Sequence, residues 1–135
     1  MNLIYPVFTL LLLHFLVLSY MFKNRVAEMK EHKIHPEKLK LRYQTSAELK
    51  NCSAADNFLN LFEMPVVFYV LTILAIALNK YTMTTVVLAW IFVFFRYSHS
   101  FIHCTYNKVM DRFRAFALSN LVLFILMVNI LINVA

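Results

Sequence analysis

Four long apolar segments alternate with polar, basic segments along the chain. The first covers residues 3–22 and the fourth residues 115–135, and neither contains a formal charge. The second (57–78) and the third (82–103) are apolar apart from a few polar side chains. Each has the roughly 20 residues that a helix needs to cross about 30 Å of hydrocarbon, whereas barrel strands need only about 9–11. Because backbone groups in lipid must be paired internally, this pattern predicts four transmembrane helices. We expect these helices at about residues 3–34, 56–78, 82–107 and 112–134.

The composition agrees with this pattern and excludes several classes of enzyme. The chain has 135 residues, of which 61% are hydrophobic and 15% are charged. Soluble domains contain about 45–50% apolar and about 25% charged residues. Glycine is absent, so the chain cannot form a P-loop, a dinucleotide-binding turn or a nucleophile elbow. We therefore predict a single all-α domain, an integral membrane four-helix bundle, rather than a soluble nucleotide-dependent enzyme.

The basic residues indicate how the bundle is oriented. Eight of the 13 lysines and arginines lie between residues 23 and 50, and three more lie between 108 and 114. Basic residues gathered in alternate loops mark the cytoplasmic side, so they do not indicate binding to nucleic acid. We therefore expect both termini outside, with a long cytoplasmic loop between the first and second helices. Cys52 and Cys104 lie in or beside the cytoplasmic segments, where a stable disulfide is not expected.

Polar side chains follow one face of each middle helix, in its cytoplasmic half. Helical spacing groups Asp56, Asn60, Glu63 on the second helix and Arg96, His99, His103, Tyr106 on the third. At about 1.5 Å per residue, Glu63 lies about 10 Å and Arg96 about 16 Å from the cytoplasmic surface. Their similar depth and opposite charge predict an ion pair or a short hydrogen-bond network. Two interpretations stay open, a pair that only holds the bundle together and a ligand site.

The sequence assigns mainly structural roles to the other polar residues within the apolar segments. Pro65 removes a helical hydrogen bond, so a kink is expected beside Glu63. His14 is interpreted as a hydrogen-bonded structural histidine. His99 and His103 have the spacing of two metal ligands on one helix, but zinc usually needs three or four, so no metal site is assigned. Interhelical hydrogen bonds are expected from Asn120, Asn129 and Asn133.

A series of short motifs then connects the second, third and fourth helices. N-x-x-E-x-P at Asn60, Glu63 and Pro65 is followed by R-x-x-H-x-x-x-H over 96–103 and by an arginine opening the fourth helix. Their order resembles the MAPEG family, the membrane-associated proteins in eicosanoid and glutathione metabolism. The resemblance covers nearly the whole chain and is best over residues 56–116. It is to bacterial-type members, which implies a bacterial inner membrane.

The resemblance implies a homotrimer that binds glutathione between adjacent subunits, near the cytoplasmic half. A lipophilic small molecule would enter from the bilayer as the second substrate. Arg112 matches the arginine that lies near the thiol in family enzymes, where a cation favours the nucleophilic thiolate. Arg114 aligns less well with that arginine and is the alternative to Arg112 for the same role. The positions that match the glutathione-binding residues are Asn60, Glu63, Arg96, His99 and His103.

Three departures from the family pattern leave the function open. Active members carry an arginine where this chain has Asp56, and many carry a tyrosine where it has Met64. Position 59, which can also be basic, is leucine. One hypothesis is a glutathione-dependent transferase or peroxidase, and a second is a non-catalytic trimer that binds a lipid, a quinone or a partner protein. A third is a metal or haem site on His99 and His103.

Overall fold

The chain is helical throughout most of the part that the structure describes. The computed structural model describes residues 2–41, 45, 47–49 and 52–134. We number the helices α1 (Ile4–Glu31), α2 (Ser53–Asn60), α3 (Met64–Ala77), α4 (Met83–Cys104) and α5 (Val109–Val134), and a 3-10 turn covers Pro36–Leu39. Four segments are long and apolar enough to cross a membrane: α1, α2 together with α3, α4, and α5. This confirms the all-α fold and its four apolar spans. The basic loop residues Arg42 and Lys50 lie outside the described residues.

The four spans pack around one hydrophobic core. α4 and α5 are the most extensively packed pair, α1 contacts α2, α3 and α4, and α3 contacts α5. Phe68 of α3 and Phe92 of α4 are fully buried, and their rings stack with centroids 4.7 Å apart. Leu10 of α1 and Leu126 of α5 are equally buried. We call the end of the bundle where α1 and α4 end, and where α2 and α5 begin, the basic end.

The second span is broken rather than merely kinked. Residues 61–63 separate α2 from α3, and Pro65 explains the break because it has no N–H to donate to the carbonyl of Leu61. The chain tightens instead, with the Phe62 N–H donating to the Leu59 carbonyl at 2.9 Å. Glu63 is left outside the helices at φ −94° and ψ −100°.

Three helices end on residues with left-handed backbone, although the chain has no glycine. Lys33, Asn79 and Asn107 have φ of 53°, 52° and 46°. Asparagine tolerates this region better than other residues with a β-carbon. After Asn79, the N–H of Lys80 donates to the carbonyl of Ala75 at 3.0 Å. Lys33 follows α1, which ends at Glu31 rather than near residue 34.

Two of the three asparagines in α5 form the expected interhelical hydrogen bonds. Asn120 accepts from Arg96 of α4 at 3.0 Å, and Asn129 accepts from the Thr85 hydroxyl at 2.7 Å. The expectation for Asn133 is wrong, because its amide donates to the Asn129 carbonyl one turn earlier on the same helix.

Replacing Thr85 by valine is expected to lower the free energy of unfolding by about 0.6–1.7 kcal/mol, the range for hydrogen bonds between membrane helices. Thr85 is fully buried, and the variant loses the bond to Asn129 together with the bond that its hydroxyl accepts from the Thr82 N–H at the start of α4. The measurement is unfolding in mixed micelles. Thr84→Val is the matched control because Thr84 is exposed. An equal loss in both variants would show that the bond does not stabilise the bundle.

Candidate functional site

Three basic side chains of α4 are buried in the basic half of the bundle. Arg96, His99 and His103 are at most 3% exposed. Their spacing of three and four residues places them on one face of the helix. The rings of His99 and His103 lie 5.7 Å apart. The sequence prediction of a shared polar face is therefore met for these three residues, whereas Tyr106 lies beyond the end of α4 and is exposed.

Arg112, in the first turn of α5, connects this face to the basic end. Its Nη1 donates to Asn107 Oδ1 at 2.8 Å and to His103 Nε2 at 3.3 Å. The backbone carbonyl of Arg112 accepts from His99 Nδ1 at 3.1 Å. These contacts fix the tautomers, because a carbonyl only accepts and a guanidinium only donates. His99 carries its proton on Nδ1, and His103 presents an unprotonated Nε2.

Two imidazole nitrogens on this face form no hydrogen bond within the described part of the chain. His99 Nε2 and His103 Nδ1 are buried and have no hydrogen-bond partner among the described residues. The tautomers make the first nitrogen an acceptor and the second a donor. Buried polar atoms are normally paired, so an unpaired one indicates a missing partner such as water or ligand.

Arg96 lies deeper than the histidines and is held between two aromatic rings. Its guanidinium carbon is 5.4 Å from the centre of the Phe92 ring and 5.2 Å from that of Phe116. Such stacking of a cation on ring faces is favourable, and more so when the cation is desolvated. Nη2 donates to Asn120, while Nε and Nη1 have no partner among the described residues.

The predicted Glu63–Arg96 contact is not formed as a salt bridge or hydrogen bond in this protomer, although the two opposite charges still attract each other over a longer distance. Among the described residues, ion pairs join Asp111 to Lys108 and Arg114, and none joins Glu63 to Arg96. The break at 61–63 interrupts the helical spacing on which the prediction relied, and Glu63 is exposed at that break. Arg96 uses Asn120 of α5 as its partner instead.

A cavity of about 220 Å³ opens beside the polar face. Asn60, His99 and Arg112 contribute its polar lining, and its apolar lining comes from Val109, Phe113 and Phe116. His103 reaches it indirectly, through its contact with Arg112. The structure therefore brings together residues of α2, α4 and α5 that are 13 to 52 positions apart in the sequence.

Arg114 and Glu63, by contrast, do not line this cavity. The side chain of Arg114 is 72% exposed, with Nη1 3.7 Å from an oxygen of Asp111. Glu63 is exposed three residues beyond Asn60. Both residues stay available to a molecule that extends beyond the cavity of one protomer.

Four residues of this region were missed by sequence reasoning. Asn107 lies in the short connection between α4 and α5, and its position after a helix end was the available signal. The other three are the apolar residues Val109, Phe113 and Phe116. In a membrane helix such residues look the same whether they face lipid or line a cavity, so no signal distinguished them.

The cavity suits one part of a larger amphipathic ligand. Ligand pockets usually enclose about 300–1,000 Å³, so 220 Å³ holds a fragment of a tripeptide-sized molecule. Arg112 offers charge, Asn60 offers an amide, and His99 Nε2 offers an acceptor. Val109 and Phe113 are exposed on the same rim, and they offer an apolar surface to a lipid-soluble partner.

A metal site finds no support in these contacts. Among the described residues, no three His, Cys, Asp or Glu side chains converge closely enough to hold an ion. His99 and His103 each use one nitrogen on Arg112. The two cysteines, Cys52 and Cys104, are free.

Comparison with known proteins gives one match. The model of the MAPEG family matches residues 3–132, which is nearly the whole chain. No curated protein and no solved structure matches significantly.

Proposed function

Since the chain belongs to the MAPEG family, we propose that it is a glutathione-dependent transferase or peroxidase acting on lipophilic electrophiles in the membrane. The observation that carries this proposal is the cavity in which a fixed guanidinium, that of Arg112, shares the lining with the exposed apolar side chains of Val109 and Phe113. An anionic sulfur nucleophile and an apolar electrophile need these two surfaces next to each other.

Arg112 has the role of stabilising the glutathione thiolate. A positive charge beside a thiol favours its deprotonated, nucleophilic form. Asn107 and His103 hold Nη1, so the charge keeps its position when substrate binds. In the transferase reaction, the thiolate electron pair forms the new carbon–sulfur bond, and the leaving group departs with the electrons of the bond that breaks.

The other residues bind the tripeptide in this proposal. Asn60 hydrogen-bonds its backbone, and Glu63 pairs with its amine. Arg96, His99 and His103 supply donors and acceptors in the inner part of the site. The support for these roles is the lining of the cavity by Asn60 and His99 and the unpaired nitrogens of Arg96, His99 and His103.

A homotrimer and a cytoplasmic site complete the proposal. The cavity of one protomer is smaller than a tripeptide needs, and Glu63 is exposed next to it, so a second subunit would supply the remaining wall. With the basic end on the cytoplasmic side of a bacterial inner membrane, the site faces the compartment where thiols stay reduced.

Reduced glutathione is expected to raise the melting temperature of the purified protein and to leave its oligomeric state unchanged. Ligand at about 100 times its dissociation constant adds about 2.7 kcal/mol to the free energy of unfolding. Thermal unfolding and native mass spectrometry, the latter expected to show a trimer, are the measurements. The disulfide dimer of glutathione is the control, since it has no free thiol. Equal responses to both molecules would exclude recognition of the thiol.

A second candidate is a non-catalytic trimer that binds a lipid, a quinone or a partner protein. Asp56 favours it, because this exposed carboxylate stands at the basic end of α2 where active family members have an arginine. A carboxylate there repels a ligand that carries two carboxylates. In that case the melting temperature responds to added lipid or quinone and not to glutathione.

A further inference from the structure

A buried histidine of α1 lies against the break in the second span. His14 Nε2 is 2.9 Å from the carbonyl oxygen of Leu61. Its ring meets the ring of Phe62 edge-on, with centroids 5.2 Å apart, and lies 5.9 Å from that of Tyr69. The imidazole therefore contacts two residues of the break, Leu61 and Phe62, and one residue of α3 beyond it.

The carbonyl that His14 contacts is the one that Pro65 leaves unpaired. In a continuous helix, the N–H of residue 65 would donate to the carbonyl of residue 61, and proline has none. An unpaired carbonyl in hydrocarbon costs several kcal/mol. Because a carbonyl only accepts, His14 Nε2 must carry a hydrogen. An N–H from α1 thus replaces the missing backbone N–H of α3.

The other ring nitrogen has two further neighbours. Nδ1 lies 3.0 Å from the Leu10 carbonyl and 3.4 Å from the Tyr69 hydroxyl. The ring is therefore held in place at both of its nitrogens.

We propose that His14 is a positioning residue, which fixes the break at 61–63 so that Asn60 lines the cavity and Glu63 stays outside the helices. The observation that carries this assignment is the pairing of His14 with Leu61 across two helices. Its consequence for glutathione rests on the proposed function. A helix rewound through residues 61–63 would move Glu63 from its exposed position outside the helices onto the helix face of Asn60, which would displace the carboxylate that pairs with the glutathione amine.

Three substitutions test this role. His14→Phe keeps a ring and removes the donor. We expect it to weaken glutathione binding and to raise the KM for glutathione about tenfold, which corresponds to a loss of about 1.4 kcal/mol. The kcat at saturating glutathione stays within a factor of two. His14→Gln restores binding because its amide can donate to the same carbonyl. His35→Phe is the matched control, since His35 is exposed outside the bundle. Equal KM values in wild type and His14→Phe would overturn the proposal.

A proline replacement separates positioning from simple stabilisation. Pro65→Ala returns an N–H to the helix, so the double variant His14→Phe/Pro65→Ala is expected to recover the melting temperature that His14→Phe loses. It does not recover glutathione binding, because the span is then continuous. Recovery of both would show that His14 serves stability alone. This double variant also provides a folded protein if His14→Phe does not fold.

Hydrogen exchange distinguishes failure of this inference from failure of the proposed function. Without glutathione, His14→Phe is expected to speed exchange at the amides of Phe62 and Glu63 about tenfold, and His14→Gln is expected to leave it unchanged. If exchange follows this pattern and glutathione does not bind the wild type, the proposed function fails and the positioning role stands. If glutathione binds and exchange is the same in all variants, the positioning role fails.

Discussion

Replacing Arg112 by alanine is expected to lower the glutathione-dependent rate by about 10²–10³-fold, the usual cost of removing one fixed group that stabilises developing or bound negative charge. The cause is local. Arg112 lines the cavity, and Nη1 is held by Asn107 and His103. Steady-state rates with glutathione and a chromogenic electrophile in detergent micelles are the measurement.

Arg114→Ala is the matched control for this loss. Both residues are arginines of the first two turns of α5, but Arg114 lies outside the cavity and its side chain is 72% exposed. We expect its rate to stay within a factor of two of wild type. Equal losses of rate in the two variants would indicate that the rate depends on the total positive charge at the basic end and not on Arg112 itself. An unchanged rate in Arg112→Ala would exclude the thiolate role even in an active enzyme.

The second large effect is expected at Asn120, and it concerns stability. Arg96 is fully buried, and Asn120 is its hydrogen-bond partner among the described residues. Asn120→Leu leaves a buried charge without that partner, and we expect it to lower the free energy of unfolding by about 3 kcal/mol or more. Unfolding in mixed micelles measures this loss.

Removing the charge as well is expected to recover most of that stability. Buried polar pairs replaced together by apolar residues of similar volume are often neutral or stabilising. Arg96→Met/Asn120→Leu should therefore unfold close to wild type, with Phe92 and Phe116 packing on the methionine. If the double variant is as unstable as Asn120→Leu, the loss came from packing at position 120 and not from the stranded charge.

The length of the apolar segments and the helical spacing of the polar residues were enough to predict the four spans and the part of the site that lies on α4. The four apolar segments fixed the number of spans because no other structure satisfies backbone groups in lipid. The spacing of Arg96, His99 and His103 placed them on one face, since α4 is continuous over all of them. These predictions depended only on local geometry within one helix.

Contacts between helices required the structure. The Glu63–Arg96 prediction assumed a continuous helix from 56 to 78. That assumption is wrong, because Pro65 interrupts the helix and leaves three non-helical residues between α2 and α3. Arg96 pairs with Asn120 instead. No sequence pattern showed that Asn120 lies on the side of α5 that faces Arg96. His14 was expected to be a hydrogen-bonded structural histidine, but its partner could not be predicted, because the carbonyl it contacts belongs to a residue 47 positions away. The rim residue Phe113 looked like any side chain facing lipid.

Two constraints meet at Asn107, and together they link the cavity to the turn between α4 and α5. Its backbone closes α4 in the left-handed region, with its N–H 2.8 Å from the Ile102 carbonyl. Its side chain accepts from the Arg112 guanidinium. Any displacement of the turn at the basic end is therefore transmitted directly to the guanidinium. The position of the guanidinium beside the cavity therefore depends on the turn between α4 and α5, which lies outside the apolar spans.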